Sequence, residues 1–275
     1  MRKRVPPKKL LKKSLGQYFL VAPHVAEKSV LAAHLLPNDI VLEIGPGGGA
    51  LTAVLLGKAK KIIAVEKDAL FIDDLKKIFA QEIADGRLEL IRKDILTLDL
   101  GVIGVSDGKY KVVANIPYYI TGALIRMLLT ATLKPSAIVL LVQKEIAERI
   151  AKDKKESVLS LSVKAYGAPR YVETVKGGAF RPQPNVDSAI LAIENISRNF
   201  FTDVPEDFFF KILKVGFSSK RKYLINNLEK IVDKKILRET FKKIGLGENV
   251  RAENVALNVW RDISQELIKT SRKTL

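Results

Sequence analysis

Between residues 39 and 145 the chain alternates short β-branched runs with stretches whose apolar residues recur at helical spacing. The runs "IVLEIG" (40–45), "KKIIAVEK" (60–67), "RLELIRKD" (87–94), "KVVANIP" (111–117) and "AIVLLVQ" (137–143) predict strands. Between them, "ALTAVLLGKA" (50–59), "ALFIDDLKKIFAQEIA" (69–84) and "TGALIRMLLTAT" (121–132) predict helices, with Thr121 placed to cap the last. Such alternation implies βαβ units and a parallel sheet covered by helices on both faces. The pattern then changes. "RYVETVKGGAF" (170–180) and "SAILAIENI" (188–196) read as two strands with no long helix between them, so an antiparallel pair is expected at one end of the sheet. From about residue 200 the pattern is helical, in "PEDFFFKILKVGF", "KRKYLINNLEKI", "DKKILRETFKKIG" and "NVALNVWRDISQELIK". These shifts divide the chain into a basic tail (1–13), an α/β domain (14–199) and a helical domain (200–275), with "SRNFFTDVP" (197–205) as the expected linker.

A chain of 275 residues, 47% of them hydrophobic, can bury a sizeable core in one large domain or in one large and one small. The absence of cysteine excludes disulfides, zinc–thiolate sites and iron–sulfur clusters and fits a reducing cytoplasm. His24 and His34 are the only histidines, so no metal is expected. No apolar stretch approaches the roughly 18–20 residues of a membrane span, and no apolar segment follows the basic start as in a secretory signal. Charge changes the picture most. Lys and Arg number 47 against 30 Asp and Glu, a net +17. The first thirteen residues carry seven of these cations and no acid, and a second cluster, "SSKRKYLINN" (218–227), holds Lys220, Arg221 and Lys222. This balance predicts a polyanionic partner, with RNA contacts at Lys220, Arg221 and Lys222, because each neutralised phosphate releases counterions and adds affinity.

Candidate chemistry lies at the carboxyl ends of the predicted strands. "VLEIGPGGGALT" (41–52) reads as a strand, a glycine-rich turn and the start of a helix, where Gly45 and Gly47 let the backbone approach a ligand. Glu66 ends the second strand, 21 residues beyond Gly45, and is placed to accept from ribose hydroxyls; Asp94 ends the third and can face an adenine amino group. Together they outline an adenosine-shaped pocket that suits NAD, FAD or S-adenosylmethionine. "NIPYYI" (115–120), closing the fourth strand, selects among them. A nucleobase amine is a poor nucleophile because its lone pair is delocalised into the ring. An enzyme alkylating it needs acceptors for both N–H bonds, and the Asn115 side chain with a carbonyl at Ile116 or Pro117 supplies them. Tyr118 can stack on the base. Positioning and electrostatic complementarity then carry the reaction.

With these motifs in order, the chain resembles the rRNA adenine N6,N6-dimethyltransferases that act on the small ribosomal subunit. The likeness rests on "SLGQYFL" (14–20), "LEIGPGGGALT" (42–52), "VEKD" (65–68), "KDIL" (93–96), "NIPYYI" (115–120), "FRPQPNVDSAI" (180–190), "GFSSKRKYLINNL" (216–228) and "RAENVALNVW" (251–260). It implies a class I, Rossmann-like methyltransferase fold: a seven-stranded, mostly parallel sheet with an antiparallel end pair and a small helical C-terminal domain. It also implies S-adenosylmethionine as cofactor and dimethylation of two adjacent adenines in a 3′-terminal hairpin loop of small-subunit rRNA, in the cytoplasm, by a chain expected to be monomeric. By the same resemblance Gln17, Tyr18 and Leu20 close over the cofactor, Gly45 lies against its methionine part, and Gly47 is expected among the cofactor-binding residues. Glu66 binds the ribose and Asp94 the adenine, with Lys67 and Ile95 also expected among the cofactor-binding residues. Asn115 and Pro117 stand between cofactor and target base, with Tyr118 and Phe180 on the two faces of that base.

Three departures from the family pattern stand out. Tyr18 replaces the usual Asn or His and cannot reproduce an amide's two-way hydrogen bonding. Tyr119 replaces a common Asn and is expected to pack. Residues 151–167, "AKDKKESVLSLSVKAYG", are shorter than their counterpart, and their lysines are expected either to contact phosphates or to form a solvated charged loop. The competing readings are a large-subunit (23S) rRNA adenine methyltransferase conferring macrolide-type resistance and a mainly RNA-binding assembly factor. "FSSKRKYLINNL" and "RAENVALNVW" are similar to the small-subunit group.

Overall fold

The computed structural model describes residues 18–273. Its strands are β1 (Phe19–Leu20), β2 (Ile40–Ile44), β3 (Lys61–Glu66), β4 (Leu88–Arg92), β5 (Tyr110–Asn115), β6 (Ala137–Gln143), β7 (Ala168–Val175), β8 (Phe180–Arg181) and β9 (Ser188–Glu194). Seven of them form one sheet in the order β4-β3-β2-β5-β6-β9-β7. The first five of that order are parallel, and β9 runs antiparallel to both β6 and β7. This is the mostly parallel sheet with an antiparallel end that the pattern predicts. The helices between strands are α1 (Pro23–Ala32), α2 (Ala50–Leu55), α3 (Ala69–Ile78), α4 (Ala80–Ala84), α5 (Thr121–Thr130), α6 (Lys144–Ala151) and α7 (Val158–Tyr166). From β2 the chain steps outward to β3 and β4, then returns across β2 to β5 and β6. Right-handed crossovers in opposite directions put their helices on opposite sheet faces and open a crevice where the direction reverses.

That reversal decides where the site lies. The register pairs Ile44 with both Val65 and Ala114, and Glu66 with Arg92, so Gly45, Glu66, Asn115 and the Lys93–Asp94 step end side by side. At about 4.8 Å between strands, residues up to 70 apart in sequence fall within about 15 Å. The β2, β3, β5 and β6 interiors are fully buried hydrophobics such as Leu42, Ile62, Val112 and Leu140, which fix this register.

Several local expectations are corrected. The helix expected over 69–84 breaks at Phe79 (φ −115°, ψ 32°), whose ring turns inward against Gly49. Thr121 does not cap α5: Ile120 is the N-cap, and the buried Thr121 hydroxyl has no hydrogen-bond partner among the described residues. β8 leaves the main sheet and pairs with β1, Phe19 opposite Arg181 and Leu20 opposite Phe180.

The chain separates into two compact units, one comprising the described residues up to Glu148 with Gly167–Ile196, the other Arg149–Tyr166 with Ser197 onward. The helical unit contains α7, α8 (Glu206–Gly216), α9 (Leu224–Leu228), α10 (Lys234–Lys243) and α11 (Leu257–Lys273). The stretch expected as a charged loop is therefore mostly helix. Ser157 and Ser160 start α7 with a reciprocal cap, each side-chain oxygen accepting from the other's backbone N–H (3.1 and 2.7 Å). Leu161 and Ala165 enter the helical core, while Lys155 and Lys164 pair with Glu253 and Glu156. The expected linker is not free either, since Phe200 and Phe201 pack edge-on against Phe209 and Val204 is buried.

At the end of α8, Gly216 lies against the ring of Trp260, which stacks on Phe217 at 5.6 Å. A Cβ there would overlap Trp260 and Leu224. Gly216→Ala is expected to destabilise the protein by about 1–3 kcal/mol, measured by urea unfolding.

Candidate active site

The carboxyl ends of β2–β5 floor a cavity of about 560 Å³, lined among others by Gly45, Gly47, Glu66, Asp94 and Asn115. The β1–β8 ribbon brings Tyr18 and Leu20 onto its wall, and Lys67, Ile95 and Pro117 complete the sequence-predicted residues that line it. Gln17 and the basic tail lie outside the described residues. Gly45 and Gly47 both have positive φ (68° and 52°), and a Cβ on Gly47 would meet the Phe19 ring at 3.0 Å. The turn therefore stays bare where a ligand must approach.

Glu66 is buried at the end of β3. Its two carboxylate oxygens accept from the backbone N–H groups of Gly47 (3.3 Å) and Asp68 (2.9 Å), which fix its orientation and leave lone pairs facing the cavity. Burial raises its pKa, and the backbone donors of Asp68, Gly47 and Lys67 oppose the rise. Asp94 is more exposed. It accepts from Lys67 Nζ (2.8 Å) and from Leu96 N–H (3.1 Å), and these bonds hold its carboxyl below the usual carboxylate range. Lys67 thus acts as the partner of Asp94, joining the ends of β3 and β4 at the rim.

Asn115 closes β5. Its Nδ2 donates to the Tyr18 carbonyl (2.9 Å). A carbonyl only accepts, so this bond determines the amide's orientation and leaves Oδ1 as its free acceptor. Pro117 (φ −58°, ψ 134°) then turns the chain into a 3₁₀ segment, Tyr118–Ile120, and its carbonyl accepts from the Ile120 N–H at 3.2 Å. The Tyr118 hydroxyl shares a 2.6 Å hydrogen bond with Ser188 Oγ, and its pKa is raised mainly by burial, so the phenol stays neutral.

Two aromatic residues differ in exposure from what their expected positions suggest. Phe180, expected on one face of the base, is 0% exposed and belongs to the sheet core. As the partner of Leu20 in the β1–β8 ribbon it points inward, while its neighbour Arg181 points out. Tyr119, expected to pack, is 74% exposed and lines the cavity mouth.

The sequence reading missed Glu43. It sits mid-strand in β2, is 1% exposed, lines the cavity, and neither carboxylate oxygen has a hydrogen-bond partner among the described residues. Burial pushes its pKa up to about 8, which the neighbouring Thr52 only partly offsets and the Glu66 charge reinforces. An acid inside an otherwise apolar strand run, "IVLEI", was the available signal. Folded Glu43 keeps its proton up to about pH 8, whereas its ordinary pKa is 4.5, so unfolding releases a proton between those values. Stability therefore falls as pH rises through that window, by up to about 1.4 kcal/mol per pH unit from this group. In Glu43→Gln this component should vanish, read from urea midpoints of the ligand-free protein at pH 5, 6, 7 and 8.

Lys220, Arg221 and Lys222 occupy an exposed turn between α8 and α9 and form no salt bridge among the described residues. The buried Asn227 amide pins this turn by donating to the carbonyls of Gly216 (2.7 Å) and Ser219 (3.0 Å). Among the described residues no cluster of three or more metal-binding side chains occurs, and no helix is long and apolar enough to cross a membrane.

The family model described as ribosomal RNA adenine dimethylase matches residues 8–269. The chain is 42% identical over 258 residues to ribosomal RNA small subunit methyltransferase A of Dehalococcoides mccartyi, covering 93% of this chain and 88% of that one. The protein of the same name from Fusobacterium nucleatum is 38% identical, with 90% and 94% covered. Among solved structures, a dimethyladenosine transferase from Plasmodium falciparum superposes with a TM-score of 0.78 at 27% identity, covering 94% of this chain and 98% of its own. The 23S rRNA methyltransferase ErmE gives 0.74 at 22% identity, covering 91% and 99%, and shares the fold.

Proposed function

The chain belongs to the ribosomal RNA adenine dimethylase family, and on that premise we propose that it dimethylates N6 of two adjacent adenines in a 3′-terminal hairpin loop of small-subunit rRNA, using S-adenosylmethionine. The observation that carries this reading is Asn115, an amide whose nitrogen is committed to Tyr18 and whose oxygen remains an acceptor at the mouth of an adenosine-sized cavity.

The residues present fit the cofactor. Glu66, oriented by two backbone donors, offers acceptors for ribose hydroxyls. The Asp94–Ile95 step lines the part of the cavity suited to an adenine, and the bare Gly45–Gly47 turn the part suited to the methionine end. Glu43 lies below as a buried carboxyl able to ionise opposite a cation. When bound, S-adenosylmethionine supplies an electrophilic methyl group.

The chain's task is to present the amine. Asn115 Oδ1 accepts one N–H. The Pro117 carbonyl has one of its two lone pairs engaged by Ile120, whereas no such backbone bond reaches the Ile116 carbonyl among the described residues, and we take Ile116 as the second acceptor. Holding both N–H bonds in one plane directs the nitrogen toward the methyl donor. No strong base is needed, because the alkylated nitrogen is acidic enough to lose its proton to water, and the neutral Tyr118 is not a base. The target base must leave its stack to reach this depth, which suits a loop.

RNA affinity has a separate source. The described residues of the α/β unit carry 18 Lys and Arg against 18 Asp and Glu; the helical unit carries 22 against 12, and residues 1–17 seven against none. The described residues of the unit that holds the cavity are therefore net neutral, and the +17 is carried by the helical unit (+10) and by residues 1–17 (+7). Replacing Lys220, Arg221 and Lys222 together with Ala should weaken RNA binding and reduce its salt slope by about 2–3, as loss of about three phosphate contacts requires. An unchanged slope would place the RNA surface elsewhere.

The proposal is tested by supplying labelled S-adenosylmethionine to small subunits lacking the modification and to large subunits in parallel. Label in the small subunit, mapped by primer extension to two adjacent adenines, is expected. Label confined to the large subunit, or none at all, overturns the proposal.

A further inference from the structure

Two buried carboxyls line the cavity, Glu43 and Glu66, and they are provided for differently. Glu66 receives the backbone N–H groups of Gly47 and Asp68. Glu43 is 1% exposed, and neither of its oxygens, nor the hydroxyl of neighbouring Thr52, meets a hydrogen-bond partner among the described residues. Level with it on the adjoining strands are Ala64 and Val113, both buried and apolar. Burial therefore favours its neutral form, and the Glu66 charge adds to this. The other charged groups of the lining, Lys67, Asp68, Arg92, Lys93 and Asp94, lie at or just beyond the ends of β3 and β4, where Lys67 and Asp94 pair with each other. A carboxyl without a partner is costly to bury. Glu43 stands two residues before Gly45, whose turn bounds the part of the cavity suited to the methionine end of the cofactor.

Resting on the reading that S-adenosylmethionine is the cofactor, we propose that Glu43 is the counter-ion of its sulfonium. The carboxyl is neutral in the empty cavity and ionised when the methyl donor occupies it, and it thereby sets the preference for donor over spent product. The cofactor's ammonium and carboxylate offset each other, which leaves the sulfonium as its excess charge. Methyl transfer turns that sulfonium into a neutral thioether. At an effective dielectric of about 20, a unit positive charge about 5 Å from a carboxyl favours its ionised form by roughly a few hundredfold. That bias suffices to ionise, at pH 7, an acid whose pKa burial has pushed up to about 8. The proton count closes over each transfer: Glu43 gives one proton to water as the donor enters and takes one back once the thioether is left. Until it does, two carboxylates face one cavity with no cation between them, which disfavours the spent product. Dimethylation of two adenines repeats this exchange for every methyl group.

Calorimetry on the full chain tests this without turnover. Titrations with S-adenosylmethionine at pH 7, in buffers of different ionisation enthalpy, count the protons released. About 0.9 should leave per cofactor bound, the fraction that an acid with a pKa of about 8 holds at that pH, and almost none with S-adenosylhomocysteine. The donor's Kd should fall about five- to tenfold from pH 6 to pH 7, while the product's stays within about twofold. Glu43→Gln keeps the shape and cannot ionise. It should lose the proton release and raise the donor's Kd about tenfold or more at pH 7, with the product's Kd within about twofold of wild type. The retained product affinity shows that the variant's cavity is intact. Equal proton release with both ligands would make Glu43 a partner of the ammonium and overturn the proposal. Donor binding without proton release, release that persists in Glu43→Gln, or an equal loss of both ligands in that variant would overturn it too. Wild-type protein that binds no S-adenosylmethionine overturns the assigned function itself, whereas binding with any of those outcomes overturns only the role of Glu43.

Discussion

Asn115→Ala is expected to lower the rate of methyl transfer by a factor of about 100–1,000, the usual effect of removing one preorganised polar partner from a reacting centre. The loss should appear in kcat, because the acceptor acts when the amine is aligned with the methyl donor, while affinity for RNA, spread over a basic helical unit, stays close to wild type. Asn115→Asp separates two effects. It keeps an acceptor but turns a carboxylate oxygen toward the Tyr18 carbonyl, where the Nδ2 donor now sits at 2.9 Å. Two acceptors in contact repel, so Asp should also loosen Tyr18 and be no better than Ala. Single-turnover rates with saturating cofactor measure this directly. An Asn115→Ala protein with a normal kcat would remove Asn115 from the mechanism.

Glu66→Ala should abolish methylation at ordinary cofactor concentrations and leave RNA binding nearly intact. Hydrogen bonds to a charged group contribute about 1.5–3 kcal/mol each, so losing two ribose contacts corresponds to a rise in cofactor Kd of roughly a hundredfold or more. Glu66→Gln is the sharper variant. Both carboxylate oxygens accept from backbone N–H groups, those of Gly47 and Asp68. An amide must turn its NH₂ toward one of them, so Gln should lose much of what Ala loses despite its shape. Calorimetry with S-adenosylmethionine reads the first effect, and filter binding of labelled rRNA reads the second. Joint loss of cofactor and RNA binding would contradict the separation of the two surfaces.

Much of the site was legible because its residues end strands. Apolar runs terminated by Gly45, Glu66, Asp94 and Asn115 mark both the strands and the lining of the cavity, since in a parallel α/β sheet ligands gather at the carboxyl edge. Charge was legible too, as composition needs no coordinates. Aromatic roles were not. The resemblance makes Phe180 in "FRPQP" a base platform, whereas read alone an aromatic there is more often core, and Tyr119 in "NIPYYI" reads as packing; the structure buries the first and exposes the second. Linear patterns do not say which way a ring points when a two-residue ribbon or a 3₁₀ turn sets its direction. The stretch 151–167 failed for a related reason. Its lysines read as solvent-facing loop, yet the cap between Ser157 and Ser160 and the apolar face of α7 make it part of the helical core.

The sequence by itself determined the strand–helix alternation, the excess of positive charge, and the places of Gly45, Glu66, Asp94 and Asn115 at strand ends, where the structure has them line one cavity. Local periodicity and residue chemistry suffice for these. Only the tertiary structure decided that Asn115 presents its oxygen, because the Tyr18 carbonyl that orients it lies 97 residues away. It alone decided that Glu43 is a buried acid whose carboxylate oxygens have no hydrogen-bond partner among the described residues, and that the rings of Tyr18 and Tyr118 stack. Those properties depend on burial and on contacts between distant segments, which come into being only when the β1–β8 ribbon is laid over the sheet's carboxyl edge.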